Sequence, residues 1–127
     1  RALHYFDEVA RVDRQREALE AGDFPLFLKC VRLSGASSAQ FLQNVSPRDT
    51  GSGERQPAML IQGLCAHLLS EEGAWRIHGG GFGGSGLALV PRAEVADFME
   101  TMDKLLGYRA CREVVVGGPG VLARRLS

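Results

Sequence analysis

Six glycines crowd into the nine residues His78 to Gly86, which read HGGGFGGSG. Holding a glycine in one conformation costs up to about 1 kcal/mol more chain entropy than holding an alanine, so a run this dense is a poor choice for a mere connector. It implies backbone that takes positive φ angles or closely approaches another group. Successive N–H groups in such a segment can also converge into an anion-binding nest. The flanks sharpen the constraint. Ala74 to His78 alternates, with Trp75 and Ile77 on one side and Arg76 and His78 on the other, the pattern of a half-buried strand. Leu87 to Val90 is a short apolar run halted by Pro91, which reads as a strand buried on both faces. The chain must fold around a glycine segment strung between two strands.

The remaining periodicities are mostly helical. Residues 2–20 form an amphipathic helix on which Ala2, Phe6, Val9, Val12 and Leu19 make the apolar stripe and Asp7/Arg11 and Asp13/Arg16 stand at pairing distance. Gly22 ends this helix, Asp23 caps the next, and Pro25 falls in its tolerant first turn. That second helix is apolar on most sides, from Phe24 to Leu33, and is expected to be sandwiched. Ser34 to Ser38 marks a break or bend, followed by a short helical piece through Phe41 and Leu42. Ser46 to Gln56 lacks an anchoring apolar residue and reads as an exposed, disordered loop. Pro57 opens a third helix with a stripe of Ile61, Leu64, Cys65 and Leu68. A fourth, from about Glu94 to Leu106, shows Val95, Phe98, Met99, Met102 and Leu106 on one face and stops at Gly107. Arg112 to Val116 is a further strand, and Val121 to Leu126 a last strand or tail. Three helices and then strand, strand, helix, strand is an α+β pattern. The stretch from Leu87 to Val116 is long enough for a right-handed βαβ crossover. A ferredoxin-like sheet of about four strands, antiparallel or mixed and covered by helices, fits best, in one domain over residues 1–127.

Composition excludes several classes. Fifteen basic residues balance fifteen acidic ones, so no global field draws the chain to nucleic acid or to an anionic membrane. No apolar run approaches the length of a membrane span. The chain starts Arg-Ala-Leu-His, has no signal-peptide pattern and reads as a fragment cut at a domain boundary. Cys30, Cys65 and Cys111 are too sparse for a disulfide framework or a metal-ligand spacing, and read as reduced, buried thiols of a cytoplasmic protein.

Familiar phosphate motifs fit the glycine segment poorly. Gly79-x-Gly81-x-x-Gly84 satisfies the dinucleotide fingerprint literally, yet that motif must open a helix, and Leu-Ala-Leu-Val-Pro is a poor helix start. No Gly-Lys-Ser/Thr follows, which removes the Walker A loop. The protein-kinase glycine loop needs a strand lysine that Leu87 to Arg92 does not supply. From the pattern alone two readings stand: a hairpin whose glycines permit close backbone packing, or a segment that contacts phosphate or buttresses one that does.

The stretch Arg76-Ile-His-Gly-Gly-Gly-Phe-Gly-Gly-Ser resembles the third signature motif of the GHMP kinases, and Phe within Gly-Gly-Gly-Phe-Gly-Gly is its galactokinase form. The resemblance extends along the chain. Arg1-Ala-Leu-His with Glu8 and Arg11-Val12 is similar to the helix opening the C-terminal domain of that family. Ala21-Gly22-Asp23 with Phe27, Ser34 to Ser38 with Leu42, and Leu87 to Pro91 are similar to its later segments. The resemblance implies a GHMP kinase C-terminal domain and ATP-dependent phosphorylation of galactose, or a related sugar, at the C1 hydroxyl. It implies ATP and Mg²⁺ as cofactors and the protein's own N-terminal kinase domain as partner. The acidic base, the metal ligands and the sugar-binding motif are expected in that absent domain, so no catalytic residue lies here and the fragment alone is inactive. The positions carried over are Gly79, Gly80, Gly81, Phe82, Gly83, Gly84 and Ser85, expected to bring main chain close to the nucleotide phosphates, with Phe82 packing. Two departures stand out: His78 occupies a position where many galactokinases have threonine, and Val45-Ser-Pro-Arg-Asp-Thr differs from the usual Val-Ser-Cys-Pro-Glu-Leu-Asp, which leaves the sugar open.

Other residues carry less. His4, His67 and His78 lie far apart and propose no metal site. Asp97 and Asp103 read as solvated, Glu100/Lys104 as a helix pair, and Arg124-Arg125 as too short for a nucleic-acid patch. Ser34, Ser37 and Ser38 read as structural ahead of a place in the cleft. Beside the kinase domain two alternatives remain: a non-catalytic galactokinase-like module that senses sugar and ATP, and a free-standing ferredoxin-like interaction module.

Overall fold

The computed structural model describes residues 1–45, 57–80 and 85–117. They form an α+β unit of α1 (Ala2–Glu20), α2 (Phe24–Ser37), α3 (Pro57–Leu68), β1 (Ala74–Ile77), β2 (Gly86–Leu89) and α4 (Val95–Leu106). A π-helical turn, Ser38–Leu42, continues α2, and a 3₁₀ turn, Arg92–Glu94, precedes α4. The expected loop at Ser46 to Gln56 and the last strand at Val121 to Leu126 lie outside the described residues.

α1 and α2 make an antiparallel helical hairpin. Its joint is closed by the Ala21 N–H donating to Glu17 O at 2.9 Å and the Asp23 N–H to Ala18 O at 2.7 Å. Asp23 then caps α2, its Oδ1 accepting from the Leu26 N–H at 3.0 Å, with Pro25 in the first turn as expected. The face by which α1 is buried is not the apolar one. His4, Glu8, Arg11, Gln15 and Ala18 are its least exposed residues, while Phe6, Val9, Val12 and Leu19 stand in solvent. The reason lies on α2, which turns Ser34 and Ser37 toward α1: Ser34 Oγ donates to Glu8, and Ser37 Oγ sits 2.9 Å from His4 Nδ1. Polar groups there need polar partners.

The same bonds explain why, of the expected break or bend at Ser34 to Ser38, no break occurs and the helix only changes to a π turn at Ser38. Serines interrupt helices by bonding to nearby backbone. Here two of the three hydroxyls reach across to α1 instead, and α2 runs through to Ser37. Only Ser38 bonds back, to Gly35 O at 3.2 Å, at the start of the π turn. Gln43, with φ 55°, ends that turn in the left-handed region.

β1 and β2 pair antiparallel in the register Ala74↔Leu89, Trp75↔Ala88, Arg76↔Leu87 and Ile77↔Gly86. The strands contribute to two small apolar clusters. Ile77 joins Val45, Ala58 and Ala39 on one, while Trp75, Ala88 and Val90 meet Cys65, Leu69, Met102 and Phe98 on the other. The expected stripe of α3 (Ile61, Leu64, Cys65, Leu68) lies wholly in the second cluster, as do Phe98, Met102 and Leu106 of α4. β1 is buried at both ends, Ala74 and Ile77, more than a half-buried strand would be. β2 is less buried than its run of apolar residues implies: Leu87 is exposed.

The α+β class holds, and of the expected sheet the described residues form these two strands. Arg112 to Val116 carries no strand, so the βαβ crossover is not formed. Its three valines, Val114 to Val116, are exposed. What holds the chain after α4 is Asp103, read from sequence as merely solvated: its Oδ1 accepts from the Ala110 N–H at 2.8 Å and the Cys111 N–H at 3.0 Å. Those donors, the Cys111 N–H first, hold its carboxyl below the usual aspartate range.

Candidate functional site

β1 and β2 bring the two ends of the glycine segment together. Beyond the last pair, Ile77↔Gly86, the His78 N–H donates to Ser85 O at 2.8 Å, so residues 79–84 join a closed hairpin base. His78, Gly79, Gly80 and Ser85 are all exposed. Gly81, Phe82, Gly83 and Gly84 lie outside the described residues.

The described glycines divide by physical cause. Gly79 has φ +67° and a Cβ there would meet nothing within 4 Å, so its requirement is conformational. Gly80 is also open, with neither a crowding neighbour nor a positive φ. Gly86 is steric: a Cβ would stand 3.1 Å from Ile61 Cγ2 of α3. Among the described residues, close packing therefore accounts for the glycine at the strand start, and not for the pair that opens the segment. What Gly79 and Gly80 present to solvent is bare main chain, the arrangement a bound anion can approach.

Behind the hairpin lies a polar network that periodicity alone did not single out. Glu8 of α1 accepts from Ser34 of α2, pairs with Arg11, and stands 3.3 Å from Arg76 Nη1 of β1. Ser34 is fully buried. Burial pushes the Glu8 carboxyl up, but the Ser34 hydrogen bond and the Arg11 and Arg76 guanidiniums outweigh it and hold the group below the usual glutamate range. Arg11 thus pairs with Glu8 at i,i+3 and not with Asp7 as the spacing proposed, because Glu8 lies on the buried side and Asp7 in solvent. The expected Asp13/Arg16 pair forms at 3.7 Å and Glu100/Lys104 at 2.5 Å, both exposed and of small energetic weight. The legible signal for the network was the serine pair at Ser34 and Ser37, one helical turn apart, facing Glu8 and His4, themselves one turn apart.

Gly35 sets how closely these layers approach. A Cβ on it would fall 2.7 Å from Trp75 O and 3.2 Å from Arg76 Cα, so α2 lies directly on the β1 backbone. Glu8, Ser34, Gly35 and Arg76 together fix the strand that leads into Gly79.

A separate cleft of about 740 Å³ opens between α2, α3 and Trp75, lined by Lys29, Arg32, Gln62 and Glu71 among others. None of Gly79, Gly80 and Ser85 lines it. Arg32 crosses its wall to bond Glu71 O at 2.8 Å and Gly73 O at 2.5 Å, bracing the turn before β1.

Among the described residues no group of three or more His, Cys, Asp or Glu side chains could hold a metal ion. Cys65 is no reactive thiol: burial, then the nearby Cys111, pushes it up to about 11. No helix of the described residues is long and apolar enough to cross a membrane.

The chain is 32% identical over 116 residues to the galactokinase of Lacticaseibacillus casei, a match covering 87% of the chain and 27% of that protein. The galactokinases of L. casei strain BL23 and of Lacticaseibacillus paracasei match to the same extent. The chain thus spans about a quarter of the length of the curated relatives it matches. No family model matches the chain, and no solved structure does.

Proposed function

We propose that the chain is the C-terminal domain of a galactokinase-like sugar kinase of the GHMP type, which transfers the γ-phosphoryl group of ATP to the C1 hydroxyl of galactose or a related sugar. One observation carries the reading, the 32% identity to galactokinases over 116 residues; a hairpin with Gly79 in a left-handed conformation and open main chain at Gly80 supports it.

Phosphoryl transfer asks a protein mainly for positioning and charge neutralisation. Gly79, Gly80 and Ser85 suit the first task. Their exposed main chain and the absence of a crowding side chain at Gly79 and Gly80 let polyphosphate, or a loop that holds it, come close. Gly81, Phe82, Gly83 and Gly84 complete the proposed segment. For Mg²⁺ the described residues offer no carboxylate cluster, so its ligands, like the base and the sugar contacts, are assigned to an N-terminal kinase domain. In that cytoplasmic parent the hairpin would be extended to the ferredoxin-like sheet of about four strands, with the β-prone Arg112–Val116 segment as one addition.

The test is an assay of the polypeptide at its native length for ATP-dependent phosphorylation across a panel of sugars, beside the 127-residue chain alone. Turnover on galactose or a close relative by the long form only is the expected result. Turnover by the short chain would refute the division of labour, and intact ATP and sugar binding without turnover would favour a sensor in place of an enzyme.

A further inference from the structure

The carbonyl of Ile77, the last strand residue before the glycine segment, points away from β2. Opposed pairs in an antiparallel ladder alternate between hydrogen-bonded and unbonded. The His78 N–H bond to Ser85 O makes those two residues a bonded pair, so Ile77↔Gly86 is an unbonded one. Ile77 is only 1% exposed, and a carbonyl buried there needs a donor from outside the ladder. The side chain of the preceding residue supplies it: Arg76 Nε donates to Ile77 O at 3.2 Å. The same guanidinium reaches Glu8 with its other donor, Nη1 standing 3.3 Å from Oε1. Glu8 is itself held at both oxygens, Oε1 by the fully buried Ser34 and Oε2 by Arg11. Arg76 is thus a two-ended brace between α1 and the main chain that delivers Gly79 and Gly80.

We propose that Glu8 and Arg76 are positioning residues for the glycine segment. Glu8 orients the Arg76 guanidinium, and Arg76 fixes the Ile77 carbonyl and with it the direction in which the Gly79 and Gly80 main chain leaves β1. The bearing of this brace on turnover rests on the kinase reading. Misplacing a reacting group by about 1 Å can cost about a hundredfold in rate, so a small shift at Ile77 is enough to be felt at the nucleotide. The chemistry asks for arginine in particular. A lysine at 76 keeps a positive charge for Glu8, but it is a point charge with no Nε–H along its stem for Ile77 O.

The test uses the native-length protein carrying Arg76→Lys or Glu8→Gln. Arg32→Lys is the control, because Arg32 braces the opposite end of β1 through Glu71 O and Gly73 O. Residue-resolved amide hydrogen exchange needs no activity. In the first two variants the His78 N–H should exchange about tenfold faster than any change in the α4 amides accounts for, whereas in the control the two should move together. Steady-state kinetics give the second measure. The kcat/KM for ATP should fall about tenfold in the first two variants with the KM for the sugar unmoved, a split that a general loss of stability does not produce. Unchanged exchange at His78 overturns the proposal, as does exchange that rises evenly along the chain, or a selective rise at His78 with ATP kinetics like the parent's. Sugar phosphorylation by the parent also separates the two claims. Turnover with His78 unmoved in the variants keeps the kinase reading and removes the brace, whereas selective exchange at His78 in a parent that phosphorylates no sugar keeps the brace and removes the kinase reading.

Discussion

Replacing Gly35 by alanine is the sharpest probe of how α2 sits on the strand that leads to the glycine segment. The added methyl would lie 2.7 Å from Trp75 O, about 0.7 Å inside ordinary van der Waals contact at 3.4 Å, and 3.2 Å from both Arg76 Cα and Arg76 Cβ. Two of those three atoms are strand backbone and cannot swing aside. Overpacking of this kind costs about 1–3 kcal/mol, against which alanine's better helix propensity returns about 0.5–1 kcal/mol. If α2 retreats to make room, the Ser34 bond to Glu8 stretches as well, and a hydrogen bond to a charged group is worth about 1.5–3 kcal/mol. The expected net loss is about 2–3 kcal/mol, a fall in Tm of roughly 8–12 °C for a chain of this size. Gly63, in the middle of α3 with nothing within 4 Å of a Cβ, is the matched control. Gly63→Ala should stabilise by about 0.5–1 kcal/mol. Both are read from urea midpoints at unchanged m. A Gly35→Ala chain as stable as the parent would refute the claimed contact of α2 on the β1 backbone.

Asp23→Ala removes the acceptor for the Leu26 N–H and should cost about 1 kcal/mol by the same urea measurement. Glu8→Gln should destabilise by about 1–2 kcal/mol near neutral pH. Because the Glu8 carboxyl titrates lower folded than unfolded, its contribution is complete above the ordinary glutamate range and is lost as pH falls through the depressed folded value; the stability gap between the parent and the Glu8→Gln variant should close in acid. A gap independent of pH would assign the effect to shape and not to charge. Gly79→Ala and Gly107→Ala place a side chain at similar positive φ, +67° and +77°, each with open space around it, so each should cost about 1–2 kcal/mol of stability. In the native-length protein only the first should lower turnover beyond that cost, and equal activity in the two variants would reduce Gly79 to a turn residue.

Local signals were legible wherever one segment sufficed to satisfy them. Asp23 caps the helix it was expected to cap, because an acceptor three residues before a free N–H needs no distant partner. The α3 stripe packs into the core, and the hairpin closes around the glycine segment between the strands that alternation in one and a short apolar run in the other indicated. The misreadings share one cause: each depended on a surface that another segment had to provide. Ser34 to Ser38 looks like a break until Glu8 and His4 arrive to take two of the hydroxyls. Arg112 to Val116 has the residues of a strand, and among the described residues it pairs with no strand edge.

α1 carries that argument furthest. Its periodicity located the apolar stripe and left the face that α2 covers unread, because apolar spacing tells which side of a helix wants cover and not which neighbour supplies it. Within these residues the neighbour is α2, whose serines select the polar side. The apolar side is then a demand the rest of the described chain does not meet, and so is the run Val114 to Val116. One of these uncovered surfaces is helical and the other β-prone, and in both the spacing of apolar residues marks a side to be covered without naming the segment that covers it.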